Sequence, residues 1–142
     1  MEAASTGSEL SSITTFDAVA AVCYHSGLQY LPARPNTLHA AFRTVTAAAR
    51  EHHSHAAVGR ELGGLEYKGD FVPFSAELET ALCSLHLSGL LDLMNPFSDR
   101  YLIKSSLLSV SVAANLPETE LVAAKSLGTV LASALAQRIA DQ

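Results

Sequence analysis

The stretch from Phe74 to Ile103 constrains the fold most, because it contains in order the signals of a helix, a turn and a short strand. Ser75 is a good N-cap residue, and Glu77 and Glu79 fall in the first turn, where the helix dipole favours carboxylates. Apolar residues then recur at spacings of three and four, at Leu78, Leu82 and Leu85. This spacing predicts a helix with one buried face, ending at Gly89.

Two turn signals follow this helix, Asn95-Pro96 and Ser98-Asp99, and they precede the short apolar run from Tyr101 to Ile103. A helix, a Gly-Leu-Leu exit, a polar turn and a short strand in this order resemble the third helix and wing of a winged-helix domain. The resemblance covers about a fifth of the chain and implies a mainly α fold with a small β-hairpin. It also implies that the third helix is the surface that reads DNA in members that bind DNA.

Three more helices are expected before this stretch. Thr14 or Thr15 caps a helix that Gly27 ends, Asn36 caps a helix that runs to about His53, and Ser54 caps a short helix that ends at Gly64. The two prolines of residues 28–35 predict an extended connection between the first two helices. Residues 71–72 are expected to form an edge strand that pairs with residues 101–103.

The pattern after Ile103 suits both a strand and a helix. Leu108, Val110 and Val112 alternate with serines, as in a strand, whereas the apolar residues at 103, 107, 110 and 114 have helical spacing. We expect a helix over residues 105–114, and Pro117 at the first position of a final helix that runs to about residue 140. The predicted fold is therefore mainly α, with five to six helices and a small wing, in a single domain of residues 14–142 after a disordered tail of residues 1–13.

The final helix carries two rows of side chains. The row of small residues recurs every four positions, at Ala124, Gly128, Ala132 and Ala136. The bulky row beside it contains Leu127, Leu131, Leu135 and Ile139. Small residues in a row allow another helix to approach closely, either within the chain or across an interface with a partner, and the sequence leaves both alternatives open.

Composition favours an interface. Hydrophobic residues make up 49% of the chain and charged residues only 16%, so few charges are available to cover the surface. We therefore expect a non-enzymatic protein–protein interaction module, acting as an accessory subunit or as a homodimer. The residues expected at its interface are Leu87, Leu90, Leu91, Ala124, Gly128, Leu131 and Leu135.

The alternative function is a DNA-binding transcriptional regulator that uses Ser84, Arg100 and Lys104. Charge disfavours it, because the net charge is -5, with 9 basic residues against 14 acidic ones and no basic cluster to neutralise phosphates. The outward positions of the helix after Ser75 are expected to be Glu77, Thr80, Ser84, Leu87 and Ser88. That face offers no Arg or Lys to base edges.

Catalytic and metal-binding motifs are not found. His52 and His55 share a helix side with the spacing of two ligands, but two ligands do not make a site, and no metal or other cofactor is expected. The sequence has no nucleophile elbow or phosphate loop, which disfavours an enzyme. Cys23 and Cys83 lie in apolar runs and are expected to be buried free thiols of a cytoplasmic protein without membrane association.

Overall fold

A computed structural model describes residues 13–69, 73–94, 100–111 and 114–140, and within these ranges the chain forms six helices and three strands. Residues 1–12 of the predicted disordered tail and the predicted strand at residues 71–72 lie outside the described residues, whereas Ile13, which was assigned to the tail, is buried in the core. The elements in chain order are α1 (Thr15–His25), β1 (Tyr30–Pro32), α2 (Pro35–His52), α3 (Ala57–Gly63), α4 (Ala76–Leu87), β2 (Leu91–Leu93), β3 (Arg100–Ile103), α5 (Ser105–Leu108) and α6 (Glu118–Ala140). The mainly α fold with a small β wing is confirmed.

The starts of α1 and α2 follow different local rules. Thr14 caps α1 through a capping box, in which its hydroxyl accepts from the Asp17 backbone N–H and the Asp17 carboxylate accepts from the Thr14 backbone N–H. The prediction that Asn36 caps α2 is wrong, because Pro35 already occupies the first helical position. Its fixed φ suits a helix start, and its missing N–H costs nothing there.

Helix α3 is capped from another part of the chain. The prediction that Ser54 caps it is wrong, since the helix begins at Ala57 and its N-cap residue, Ala56, has no side-chain acceptor. The Glu120 carboxylate of α6 instead accepts hydrogen bonds from the backbone N–H groups of Ala57, at 2.9 Å, and Val58, at 2.8 Å. A buried carboxylate thus satisfies two helix-end donors that would otherwise lack partners.

The sheet is antiparallel, with strand order β1-β3-β2. The segment expected to be a simple connection, residues 28–35, contributes β1, in which Tyr30 pairs with Leu102. Pro32 is tolerated in β1 because this strand lies at the edge of the sheet. The strand expected at residues 101–103 is therefore present as β3, and its partners are β1 and β2.

Helix α6 is the main packing element of the core. It packs against α1, α2 and α3, and its Ala124, Leu127 and Leu131 are completely buried. Gly128 lies against the end of α1, where a methyl group at its Cα would come within 2.6 Å of the carbonyl carbon of His25. The first two members of the row of small residues, Ala124 and Gly128, therefore serve close packing within the chain, which is one of the two alternatives left open by the sequence, whereas Ala132 is partly buried and Ala136 is exposed.

The segment after β3 is only partly helical. Helix α5 covers Ser105–Leu108, which is shorter than the helix expected over residues 105–114, and a turn follows it. Leu108 is buried, whereas Leu107 and Val110 are exposed. A single turn of helix therefore suffices to bury the one leucine that contacts the core.

Candidate protein-interaction surface

Helix α4 is fixed at its N-terminus by a buried histidine of α2. The Ser75 hydroxyl accepts from the Leu78 backbone N–H at 3.2 Å and caps the helix, as predicted. The Ser75 backbone N–H in turn donates to Nδ1 of His39 at 3.0 Å. Helix α4 is thus held to α2 at its N-cap residue.

The hydrogen bonds of His39 determine its tautomer. Because Nδ1 accepts from a backbone N–H, the ring proton must lie on Nε2, which donates to the Glu79 carboxylate at 3.0 Å. The contact is therefore a hydrogen bond from a neutral ring rather than an ion pair. Phe74 stacks on the same ring with centroids 4.8 Å apart. One fully buried side chain thus positions Phe74, Ser75 and Glu79 together.

The exposed side of α4 forms a continuous strip, which we call the α4 face: Phe74, Ala76, Thr80, Cys83, Ser84 and Leu87. Its helical members follow a spacing of three or four residues and so share one side of the helix. All of its members except Leu87 line, together with Glu79, a pocket of about 400 Å³. Phe74 is 43% exposed and Leu87 is 85% exposed, so the strip presents large apolar side chains to solvent at both ends.

The charges along α4 are acidic. Glu77 and Glu79 lie in its first turn, and the helix contains no Arg or Lys. Cys83 is exposed, so the expectation that it is buried is wrong, whereas Cys23 is buried as expected. Limited desolvation, together with the charge and hydrogen-bonding contact of Glu79, raises the pKa of the Cys83 thiol. The α4 face therefore combines apolar and neutral polar groups beside a carboxylate and offers no group that attracts phosphate.

The residues expected at an interface are placed in three settings. Leu87 is exposed and Leu90 is partly buried. The other five are buried inside the chain: Leu91, Ala124, Gly128, Leu131 and Leu135. Their apolar surface is already covered by neighbouring elements of the same chain, which corrects the expectation that they face a partner. The periodicity of α6 identified a packing surface but not which helix would cover it.

The residues of the DNA-binding alternative are close to the sheet or on α4 but do not form a basic surface. Ser84 is partly buried in the α4 face. Arg100 is exposed, and its guanidinium lies over the Tyr30 ring at 4.6 Å. Lys104 is partly buried directly after β3. The two basic residues lie at opposite ends of the four-residue strand β3, and the first turn of α4 carries the carboxylates of Glu77 and Glu79, which do not attract phosphate.

A second pocket, of about 410 Å³, lies between α2 and the connection from α3 to α4. We call it the α2 pocket, and it is lined by Arg43, Thr46, Ala47, Arg50, Leu65, Glu66 and Tyr67. The Thr46 hydroxyl and the Tyr67 hydroxyl are 2.9 Å apart and hydrogen-bonded. Arg50 donates from Nε to the Gly63 carbonyl and from Nη2 to the Leu65 carbonyl.

The histidines at the end of α2 do not converge on a metal site. Among residues 13–69, 73–94, 100–111 and 114–140, no group of three or more His, Cys, Asp or Glu side chains is arranged to hold a metal ion. His53 Nε2 is hydrogen-bonded to the Ser126 hydroxyl at 3.0 Å. His52 is largely exposed beside Glu51. This end of α2 therefore combines one contact to α6 with solvated side chains.

Helix α6 is long and apolar enough over Glu118–Gln137 to cross a membrane by length and composition. Three leucines of its bulky row, Leu127, Leu131 and Leu135, are nevertheless buried within the fold. The cytoplasmic location expected from the sequence stays a prediction.

No family model matches the chain. Comparison with curated proteins and with solved structures likewise gave no match. The helix-rich fold with a three-stranded antiparallel sheet is compatible with a winged-helix-like topology.

Proposed function

We propose that this chain is a non-enzymatic protein-interaction module on a winged-helix-like domain, and that the α4 face is its contact surface. In the winged-helix comparison, α4 takes the position of the third helix and the β2–β3 pair takes that of the wing. The observation that carries the proposal is Leu87, a leucine 85% exposed at the end of a helix whose exposed side has no basic residue.

An exposed leucine by itself is ordinary, but here it lies one helical turn beyond Cys83 and Ser84, which line a pocket. Phe74 at the other end of the α4 face is held in position by stacking on the buried His39 ring. A side chain that fills a pocket and excludes water from it contributes more to protein–protein affinity than the contacts around it, and the pocket of about 400 Å³ on this face can take such a side chain from a partner. A partner would insert an apolar side chain into this pocket and cover Leu87.

The polar side chains at the edge of the α4 face serve the choice of binding partner and not catalysis. Glu79 receives a hydrogen bond from His39 through one oxygen, and Cys83 lies 3.6 Å from the other. A carboxylate held in this way favours a partner with a basic or hydrogen-bond-donating group next to its apolar anchor. Assembly as an accessory subunit of another protein and self-association as a homodimer both use this same surface.

The test compares Leu87→Asp with a matched control, Val122→Asp, which places the same charge on an exposed apolar position of α6. Both variants are expected to fold, because both positions are exposed. Light scattering over a concentration series measures self-association, and cross-linking in an extract of the native host identifies other partners.

We expect that a contact formed by both the wild type and Val122→Asp is lost in Leu87→Asp. The same contacts for all three proteins would contradict the proposal. Binding to duplex DNA that weakens steeply with salt would instead support the regulator that uses Ser84, Arg100 and Lys104.

A further inference from the structure

We infer that the α2 pocket binds a small organic anion, a phosphate monoester or a carboxylate with an apolar body, through Arg43 and Arg50. This site is separate from the α4 face and does not depend on the proposed interaction. Its volume of about 410 Å³ is in the range of small-molecule sites, which combine apolar walls with a few placed polar groups.

Arg50 is held in place by the backbone. Its Nε donates to the Gly63 carbonyl at the end of α3 and its Nη2 donates to the Leu65 carbonyl after it, so two backbone carbonyls fix the plane of the guanidinium. A guanidinium has five N–H donors in a rigid fork, and those not used in these bonds can reach the pocket. Because the side chain is already ordered, binding an anion costs less side-chain entropy than at a mobile arginine.

Arg43 lies two helical turns before Arg50, a rise of about 10 Å along α2. Thr46 and Ala47 lie between them on the same side of the helix and line the same pocket. Within the described ranges, Arg43 has neither an acidic partner within salt-bridge distance nor a hydrogen-bond partner for its side chain. Arg43 and Arg50 are thus the cationic groups of the lining, against the single carboxylate of Glu66 in the lining and that of Glu77, which accepts from the Glu66 backbone N–H.

The rest of the lining selects the kind of anion. Leu65, Ala47 and the Tyr67 ring supply apolar surface, and the hydroxyls of Tyr67 and Thr46 are already hydrogen-bonded to each other. Glu66 is the acidic member of the lining, so the side of the pocket next to it repels an anion. The ligand that fits has one anionic end beside the arginines and an apolar body against the Leu65 and Tyr67 side.

The test uses phenyl phosphate, benzoate and inorganic phosphate as probes in ¹⁵N chemical-shift titrations of the full chain at constant ionic strength. Saturable shifts of residues 43–50 and 63–67 are expected with phenyl phosphate or benzoate, and weaker shifts with inorganic phosphate. Arg43→Gln should weaken binding roughly tenfold, because a charge-assisted hydrogen bond is lost. Lys125→Gln on α6 removes the same charge outside the lining and should leave binding unchanged.

Three results would overturn the inference: no saturable shift with either organic probe, equal binding by Arg43→Gln and the wild type, or equal affinity for inorganic phosphate and the organic anions. Arg43 makes no described side-chain hydrogen bond, so its replacement is expected to leave the fold intact. Replacing Arg50 would also break its two bonds to the backbone carbonyls of Gly63 and Leu65, so a loss of binding in that variant would not separate ligand contact from local structure.

Discussion

Gly128 of α6 lies directly against the last residue of α1, because a methyl group on its Cα would come within 2.6 Å of the carbonyl carbon of His25. Backbone atoms cannot move aside as a flexible side chain can. The approach of α6 to α1 therefore requires glycine at this position, for reasons of space and not of backbone conformation.

Gly128→Ala should destabilise the fold by about 1–3 kcal/mol, the range for over-packing a filled core. The same change at an open helix position would stabilise by up to about 1 kcal/mol, so the sign of the effect is diagnostic. Urea unfolding measures it, with Thr129→Ala at the next, exposed position as the control. A Gly128→Ala protein as stable as the wild type would contradict the packing described.

Glu120→Ala should destabilise the fold by about 2 kcal/mol or more, because the N–H groups of Ala57 and Val58 lose their acceptor inside the protein. Glu118→Ala, in the exposed part of the same helical turn, should cost at most about 1 kcal/mol from the lost dipole interaction. Thermal unfolding of the two variants compares these costs. Equal losses would mean that the cap of α3 contributes little to stability.

Stability should fall as the solution is acidified, in part through His53. Burial lowers the pKa of His53 from its ordinary value of 6.5, and the charges of His55 and His52 lower it further. Well above pH 6.5 the ring is neutral in both the folded and the unfolded chain. As the pH falls through 6.5, the unfolded chain takes up a proton that the folded chain binds less readily. Acid therefore favours unfolding until the folded pKa is passed.

His53→Gln removes this titration and keeps a side chain that can bond to Ser126. Between about pH 8 and about pH 5, its melting temperature should change less than that of the wild type. His52→Gln, at a largely exposed position, removes only the smallest of the three causes that lower the pKa of His53, so it should keep most of the wild-type pH dependence. A His53→Gln protein with the wild-type pH dependence would show that this ring is not the group responsible.

The two cysteines should differ in reactivity. Burial raises the pKa of Cys23 to about 12, and its side chain has no exposed surface, so an alkylating reagent should reach it only after unfolding. Cys83 is exposed and should react in the folded protein, more slowly than a free thiol because its pKa is also raised. Mass spectrometry after limited alkylation should show one modified site in the native protein. Cys83→Ser should show none until denaturant is added.

The helix pattern of this chain could be predicted from local rules. Three of these signals span only one or two helical turns and can be recognised in the sequence: the capping box of Thr14, the Ser75 cap and the apolar spacing after Ser75. The outward face of α4 was predicted for the same reason: Thr80 and Leu87 lie opposite the buried leucines. Cys83 was wrongly predicted to be buried because the sequence around it is apolar. Its helical spacing places it with Thr80 and Leu87 on the exposed side.

The tertiary structure decided what each surface faces. In the sequence, Glu120 has the position of an ordinary carboxylate in the first turn of a helix. It caps α3 only because α6 lies beside α3 in the folded chain. His39 gave no signal for its link to Ser75, which is 36 positions away. In the same way, the small-residue row around Gly128 specified a close contact while leaving its partner open. The spacing of buried side chains along the sequence is set by their own helix. The groups that cover those side chains depend on every other element of the fold.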